Sequence, residues 1–224
     1  LSVREQGGLF LMPTVGGPAP VALSTSASLT VDGRLNMTPA VGSFGALFTS
    51  DSPVVVNGTA NISVGDGAFV LNNTTLRIND NPEFTVTSGS VQYNGTAGLE
   101  FTGSVGHTAS GELVTTAIVS LLMNNSGGVT FTTSATITGM LDLTRGLLSI
   151  TTGTLFIEDV QNASDSSYVV GNLQRYVAMS PTIFPIGDTS AFLPLVIEYV
   201  DNGGTVRATV QQGNPTDGRA GMAG

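Results

Sequence analysis

Four apolar-x-apolar triplets recur at a fixed spacing between Val54 and Phe101: Val54-Val55-Val56, Phe69-Val70-Leu71, Phe84-Thr85-Val86 and Leu99-Glu100-Phe101. Most triplets are followed by a polar turn, such as the Asn57-Gly58-Thr59 turn after the first. The same step continues to Val114 and to Val129-Thr130-Phe131. A fixed internal period is the sequence signature of a repeat architecture, so it decides the fold class.

Within each triplet the first and third residues are on one face, as successive residues of a β-strand alternate sides. Second strands such as Leu76-Arg77-Ile78 follow the turns, so each unit of about 15 residues holds two short strands. We predict a β-solenoid, because apolar residues recur at the same register and stacking places them above one another. An antiparallel meander of hairpins stays open, because Asn-Gly turns such as Asn57-Gly58 favour hairpins.

Three parts are predicted along the chain. Residues 1–28 supply lead strands that cap the first repeat, and residues 29–160 form the solenoid, with an insertion near residues 42–51. After residue 160 the apolar runs lengthen, as in the run from Phe192 to Ile197. This spacing is typical of a sandwich, so residues 161–224 are predicted to form a small β-sandwich-like region.

The composition excludes several classes of function. Only 10% of the 224 residues are charged and the net charge is −9, with no cluster of the seven basic residues. Nucleic-acid binding and attachment to anionic membranes are therefore not expected. There is no cysteine, which removes disulfides and thiolate metal sites. No apolar run reaches the length of a membrane-spanning helix, so membrane insertion is not expected.

Two stretches carry a resemblance to a known group of proteins. The first is Gly146 to Ile157, and the second is Ser167-Tyr168-Val169-x-Gly171-Asn172-Leu173-x-Arg175 followed by Phe184-Pro185-Ile186-Gly187-Asp188 and Pro194-Leu195. Together they resemble repeat units of large secreted surface proteins of the Bacteroidota, with Ile186 in place of the usual valine. The opening, from Gly8 to Gly33, also resembles the mature start of such proteins.

The resemblance implies a protein exported by the type IX secretion route to the cell surface or the medium. Members of this group are mostly adhesins, filament components or scaffolds, and the matching motif is structural, so it transfers no catalytic residue. Their C-terminal sorting domain is not found in this sequence. In the motif, Gly171 and Gly187 are predicted to lie at turns, and Tyr168 and Phe184 to be core aromatics.

The residue types offer little for catalysis. His107 is the only histidine, and its polar neighbours predict a solvated loop rather than a catalytic base. The acidic pairs Asp80/Glu83 and Glu158/Asp159 are the candidates for glycoside hydrolysis or lyase chemistry, although acidic pairs at turns are usually solvated. We therefore predict no catalytic residues and no cofactor.

Oxygen-rich loops leave a weak case for calcium. Asp66, Asp80 and Asp201 are the candidate Ca²⁺ ligands, but none follows an EF-hand or glycine-rich calcium repeat. The alternative is that these residues make turns. Eight Asn-x-Ser/Thr sequons occur, and Asn57, Asn72 and Asn94 among them are predicted to use left-handed backbone at turns or to form ladders.

These observations predict a non-enzymatic extracellular structural or adhesive surface protein, with a self-assembling filament subunit as one form of it. Its expected partners are copies of itself or neighbouring surface proteins, with glycans as a further option. The alternatives are a carbohydrate-binding module, weakened by the absence of tryptophan, a polysaccharide-active β-helix protein and a phage tail-fibre module.

Overall fold

The computed structural model describes residues 2–3, 8–10, 22–25, 28–37, 46–113, 117–198 and 200–211. These residues are almost entirely β-strand and form a β-solenoid of about six turns. The solenoid predicted from the repeat is thereby confirmed, and the meander is not observed. No helix among the described residues has the length and apolar character needed to cross a membrane.

The strands are short and follow one another closely along the chain. The first fourteen are β1 (Ser2–Val3), β2 (Gly8–Phe10), β3 (Ala22–Thr25), β4 (Leu29–Val31), β5 (Arg34–Met37), β6 (Ala46–Ser50), β7 (Val54–Asn57), β8 (Asn61–Val64), β9 (Gly67–Asn72), β10 (Thr75–Asn79), β11 (Glu83–Val86), β12 (Ser90–Asn94), β13 (Gly98–Gly103) and β14 (His107–Ala109). A 3-10 turn at Gly111–Leu113 follows. The others are β15 (Ile118–Asn125), β16 (Val129–Phe131), β17 (Ala135–Arg145), β18 (Leu148–Ile150), β19 (Leu155–Gln161), β20 (Val169–Val170), β21 (Leu173–Val177), β22 (Thr182–Phe184), β23 (Ile186–Gly187), β24 (Leu195–Ile197) and β25 (Gly204–Ala208).

One long sheet runs the length of the solenoid. Its strand order is β1-β4-β7-β10-β13-β15-β17-β19-β21-β25. Every pairing in it up to β21 is parallel, and only the last strand, β25, pairs antiparallel. Parallel pairing at each step is the pattern of stacked coils, in which each turn of chain lies on the previous one.

Two further sheets close the N-terminal part into a three-sided coil. Sheet B has the order β11-β8-β5-β2 and sheet C the order β12-β9-β6-β3. Each coil, or rung, visits the long sheet, sheet B and sheet C in turn, so that Val54 pairs with Leu76 of the next rung. Corner residues of successive rungs, such as Asn57 and Asn79, are 22 residues apart. The predicted stacking unit of about 15 residues is therefore wrong.

The spacing of the triplets has a geometric origin in this three-sided rung. One step from triplet to triplet covers two of the three faces. Val54 therefore lies in the long sheet, Phe69 in sheet C and Phe84 in sheet B, and Leu99 returns to the long sheet two rungs later. The triplets mark real strands, but consecutive triplets do not stack on one another. Val114 lies outside the described residues.

The core is a single apolar column inside the coil. First and third residues of the triplets point inward: Val54, Val56, Phe69, Leu71, Leu99 and Phe101 are all buried. The rings of Phe48 and Phe69 stack with centroids 4.6 Å apart, and Phe84 meets Phe69 edge to face. Stacked and edge-to-face rings are both favourable arrangements, so the column is held by specific contacts as well as by burial.

The cross-section changes near residue 111. Sheets B and C end with β11 and β12, and the 3-10 turn at Gly111–Leu113 packs against both of these strands. A new sheet, sheet D, then runs in the order β14-β16-β18-β20-β23. In the same part β15 and β17 lengthen and carry register shifts, which bend the strands as β-bulges do.

The β-sandwich predicted for residues 161–224 is not confirmed. Strands β20, β21 and β23 continue the parallel pairing of sheet D and the long sheet beyond residue 160. Among the described strands, the antiparallel pairs are β25 with β21 and β22 with β24. The apolar runs at Val169 and Leu173 are thus strands stacked on the previous rung, and the sequence alone did not separate this stacking from sandwich packing.

At the other end, the lead strands predicted for residues 1–28 pair in register with the next rung as β1, β2 and β3. Leu35 pairs with Ile62, whereas Phe48 pairs with Phe69, so the first full rung holds its extra residues between β5 and β6. Residues 46–50 of the predicted insertion are strand β6, and residues 38–45 lie outside the described residues.

Candidate functional site

Two rows of polar side chains stack along corners of the N-terminal rungs. In the first row the side-chain amide of Asn57 donates to Asp32 at 2.6 Å, and that of Asn79 donates to Asn57 at 3.3 Å. In the second row Asn72 donates to Asp51 and Asn94 donates to Asn72, both at 3.0 Å. Rung stacking brings these residues together, because each row joins the same position of successive coils.

The asparagine ladders were predicted, but the left-handed backbone was not placed correctly. Positive φ among the described non-glycine residues occurs at Asn73, Asp80 and Asn162, not at Asn57, Asn72 or Asn94. The latter three end strands β7, β9 and β12, where extended backbone aims the amide along the stack. Asn73 instead uses its side chain to accept a hydrogen bond from the Thr96 backbone one rung later.

His107 is buried, so the predicted solvated loop is wrong. It lies in β14, is 3% exposed and packs against Phe101 with ring centroids 5.3 Å apart. Its Nε2 lies 2.5 Å from Oε1 of Glu112, and its Nδ1 lies 3.1 Å from Oδ1 of Asn81. Both ring nitrogens are thus engaged, and a general base needs a free nitrogen within reach of a substrate.

The buried cluster around His107 also includes Tyr93. The Tyr93 hydroxyl donates to the main-chain carbonyl of Glu112 at 2.9 Å, and the Ser110 amide donates to the Glu112 carboxylate at 3.0 Å. Burial raises the pKa of Tyr93 well above 10.0, and the charge of Glu112 adds to this rise. The cluster lies where sheets B and C end, so it satisfies polar groups at the change of cross-section.

The first acidic pair, Asp80/Glu83, is engaged in contacts between and within rungs. Asp80 accepts the main-chain amides of Ser104 and Val105, at 2.9 and 3.2 Å, so it caps a corner of the next rung. Glu83 accepts hydrogen bonds from the side chains of Asn61 and Thr85 on its own face. These contacts are those expected of corner residues.

The predicted calcium ligands are not brought together. Asp66 accepts a hydrogen bond from the Ser88 hydroxyl on the neighbouring rung, Asp80 caps its corner, and Asp201 lies in an exposed bend before β25. Within the part of the chain that the structure describes, no three His, Cys, Asp or Glu residues are grouped to hold a metal ion.

The second acidic pair, Glu158/Asp159, lines a groove of about 720 Å³ at the C-terminal end of the solenoid. The groove lies between the end of β19, the strand β21 and the two-stranded sheet of β22 and β24. Its apolar wall includes Tyr176, Ile183 and Val196. The groove is therefore amphipathic, with carboxylates on one wall and aliphatic and aromatic side chains on the other.

Arg175 fixes the two walls of this groove. Its guanidinium donates to the Glu158 carbonyl at 2.7 Å and to the Ile183 carbonyl, and lies 3.7 Å from the Asp159 carboxylate. The side chain is almost fully buried, and its Nε has no hydrogen-bond partner among the residues that the structure describes. Burial lowers the pKa of Arg175, and the negative charge of Asp159 opposes this shift.

Most exposed large hydrophobic residues of the described chain lie close together in sequence near the groove. Of the seven such residues in the described part of the chain, six lie between residues 176 and 196: Tyr176, Met179, Ile183, Leu193, Leu195 and Val196. The seventh is Val105. Tyr176, Ile183 and Val196 of this group line the groove. Because exposed apolar surface marks interaction sites, the groove is the candidate interaction surface.

The predictions made for the residues of the resemblance motif are confirmed in part. Tyr168 and Phe184 are buried, as expected of core aromatics, and Gly171 has φ of +113° at a turn. Gly187 is instead a strand residue that packs beside the Tyr168 ring. The groove itself was missed, although Leu173-x-Arg175-x-Val177 placed a charged residue at an inward position, which is an unusual signal.

Comparisons with known proteins identify no relative. A scan against protein-family models found no match, and neither the curated proteins nor the solved structures that were searched contain a match.

Proposed function

We propose that this chain is a non-enzymatic extracellular protein that serves as a structural or adhesive rod at a bacterial cell surface. The single observation that carries the proposal is the uninterrupted parallel pairing of the long sheet from β1 to β21. A stack of this kind is stiff along its axis, since each rung contacts its neighbours over all faces.

Side-chain contacts between rungs support a mechanical role. The asparagine rows and the Phe48–Phe69 stack join successive rungs on the outside and the inside of the coil. The polar residues that a catalytic function would use are engaged in the same way, as with Asp80 and His107. Export by the type IX route is part of the proposal and rests on the sequence resemblance.

A rung deletion tests whether the rod is the functional unit. Removing residues 54–75 takes out one whole rung and joins Pro53 to Leu76, the residue that pairs with Val54. Asn79 and Asn94 then replace Asn57 and Asn72 as donors to Asp32 and Asp51, so both rows survive. We expect a folded rod that is shorter by about 4.8 Å, one interstrand spacing.

The matched control removes the shorter segment 69–83, which spans one step between triplets. This deletion joins the start of β9 in sheet C directly to β11 in sheet B. The strands that follow then no longer lie above strands of the same sheet, so we expect loss of cooperative folding. Small-angle scattering and circular dichroism measure both variants. A compact scattering profile for the intact protein, or equal tolerance of both deletions, would overturn the proposed rod.

Two assays, one of binding and one of turnover, distinguish adhesion from catalysis. An adhesive rod should retain purified glycans or surface proteins on an array without converting them. Turnover of a polysaccharide that disappears in Asp80→Ala or Glu83→Ala would contradict the non-enzymatic role and would favour the polysaccharide-active alternative.

A further inference from the structure

The chain contains three Asn-Gly steps, and the fold places them in different surroundings: Asn57-Gly58, Asn94-Gly95 and Asn202-Gly203. In such a step the glycine has no Cβ to keep its main-chain nitrogen away from the asparagine side chain. The nitrogen can therefore attack the side-chain carbonyl carbon, which makes an unrestrained Asn-Gly step chemically labile in water. The contacts of each asparagine decide which step is free to react.

The asparagine rows restrain the first two side chains. The Asn57 amide donates to Asp32 at 2.6 Å, and its oxygen accepts from Asn79 at 3.3 Å. Asn94 is exposed, but its amide donates to Asn72 at 3.0 Å. Both side chains are held along the stack by these bonds. Each must leave its row before its carbonyl carbon can meet the nitrogen of the next residue.

Asn202 lies outside these rows. It is exposed in the bend that precedes β25, and its side chain makes no hydrogen bond to any residue that the structure describes. An added Cβ on Gly203 would lie 2.2 Å from the Tyr176 hydroxyl oxygen, so a larger residue there would have to displace the Tyr176 ring. The packing thus favours glycine, the residue that makes the step reactive, beside an asparagine that is not restrained.

We propose that Asn202 is a site of spontaneous deamidation, and that rung stacking protects Asn57 and Asn94 from the same reaction. The main-chain nitrogen of Gly203 bonds to the side-chain carbonyl carbon of Asn202. The amide nitrogen leaves as ammonia, with the proton that the Gly203 nitrogen gives up. Water then opens the resulting succinimide at either carbonyl, which yields aspartate or isoaspartate. The inference goes beyond the proposed structural role and does not depend on it.

The isoaspartate product lengthens the main chain just before the last strand of the long sheet. The side-chain carbon of residue 202 becomes part of the backbone, close to Gly204, which pairs with Val177 of β21. Extra backbone here displaces the start of β25 or the Tyr176 ring beside Gly203. The reaction therefore weakens the antiparallel pairing of β25 with β21.

The first experiment ages the full chain in mildly alkaline buffer and maps its peptides by mass spectrometry. Each rate is divided by that of the same site in the urea-unfolded chain, so that effects of the local sequence cancel. Relative to Asn202, we expect roughly 5-fold slower reaction at Asn94 and roughly 30-fold slower reaction at Asn57, because one and two side-chain bonds must first break. Equal ratios at Asn94 and Asn202, which are both exposed, would overturn the proposed protection.

A variant pair separates protection by the row from protection by overall stability. Asn72→Ala removes the acceptor of the Asn94 amide, so we expect the Asn94 rate to rise roughly 5-fold while the Asn202 rate stays unchanged. Asn61→Ala is the matched control, because it breaks a bond between rungs, to Glu83, outside both rows. An equal rise at Asn94 in both variants would contradict a protective row.

The second experiment tests the effect on β25 by hydrogen exchange. The aged parent should lose protection in β25 and in its partner β21. Asn202→Gln, aged identically, should keep this protection, because the longer side chain cyclises less readily. Freshly prepared Asn202→Asp should also keep it, since it adds the charge without lengthening the backbone. Intact protection in an aged parent that carries isoaspartate at residue 202 would overturn the weakened pairing, and absence of any product there would overturn the site.

Discussion

The two halves of the solenoid turn their corners by different means. In the N-terminal half (residues 28–103) polar side chains hold the corners, as in the rows that end at Asp32 and Asp51. In the C-terminal half (residues 118–187) glycines with positive φ are more frequent, namely Gly128, Gly146, Gly153 and Gly171, against Gly95 and Gly103 in the N-terminal half. At Gly146 an added Cβ would lie 1.8 Å from the Asn125 carbonyl oxygen.

This difference accompanies a change in rung length. Val54 pairs with Leu76 in the N-terminal half, whereas Leu155 pairs with Leu173 in the C-terminal half, so the later rung uses a shorter stretch of chain. Glycine lets backbones of successive rungs approach without a side chain between them, which permits the tighter coil. The comparison indicates that a solenoid corner can be held by side-chain hydrogen bonds or by backbone contact, with different sensitivity to substitution.

The largest effect is expected at the junction of the two halves. Glu112→Ala leaves His107 buried without its carboxylate partner, which should cost about 3–5 kcal/mol of unfolding free energy. Hydrogen exchange should show lost protection on both sides of the junction. The double variant His107→Leu/Glu112→Leu removes both polar groups and should cost less, and a cost equal to that of the single variant would contradict the pairing.

The glycine corners should be the next most sensitive. Gly146→Ala forces a Cβ into positive φ and against the Asn125 carbonyl, at a cost of about 2–3 kcal/mol. Gly58→Ala is the control, because an added Cβ there meets no atom of the described residues within 4 Å. Hydrogen exchange should report the loss in the C-terminal half alone. Similar melting curves for both variants would remove the distinction between the two kinds of corner.

The side-chain corners should be more tolerant. Asn72→Ala breaks two hydrogen bonds of its row, so we expect a loss of about 1 kcal/mol in chemical denaturation. Asn94→Ala breaks one side-chain bond at the end of that row and should lose less. If the end position proved the more costly, the row would not act through its internal bonds.

The smallest effect on stability is expected at Asp142, whose carboxylate accepts side-chain hydrogen bonds in the C-terminal half. Partial burial opposes its ionisation, but hydrogen bonds from Asn162, Thr144 and Gln161 outweigh this and lower its pKa from 3.8. Its stabilising contribution is therefore present above about pH 4 and lost as pH falls through the lower folded pKa. The stability gap between the parent and Asp142→Asn should shrink on acidification, as measured by denaturation at several pH values. A stability difference that does not change with pH would contradict a stabilising role for the Asp142 carboxylate.

The strands and their stacking into a solenoid were predictable, but the rung length, which decides which strands stack on one another, was not. The alternation in Val54-Val55-Val56 identified the inward residues. The 15-residue spacing of the triplets, however, fits two different arrangements: one complete stacking unit, or a step across two faces of a three-sided rung. His107 was misassigned for a related reason. Asn81 lies 26 residues before it and Glu112 five residues after it, so the burial follows from register between rungs. The apolar runs after residue 160 correctly indicated a change in strand pattern. Their pairing partners could not be predicted, because these also depend on the register between rungs.

The asparagine rows give the molecule an electrical direction. In both rows each donor points toward the N-terminal end: Asn94 to Asn72 to Asp51, and Thr102 to Asn79 to Asn57 to Asp32. Each row begins with a carboxylate, a group that only accepts, and each amide polarises the next one. The side-chain dipoles therefore align along the axis, and an inserted rung preserves this polarity only if its own amide donates in the same sense.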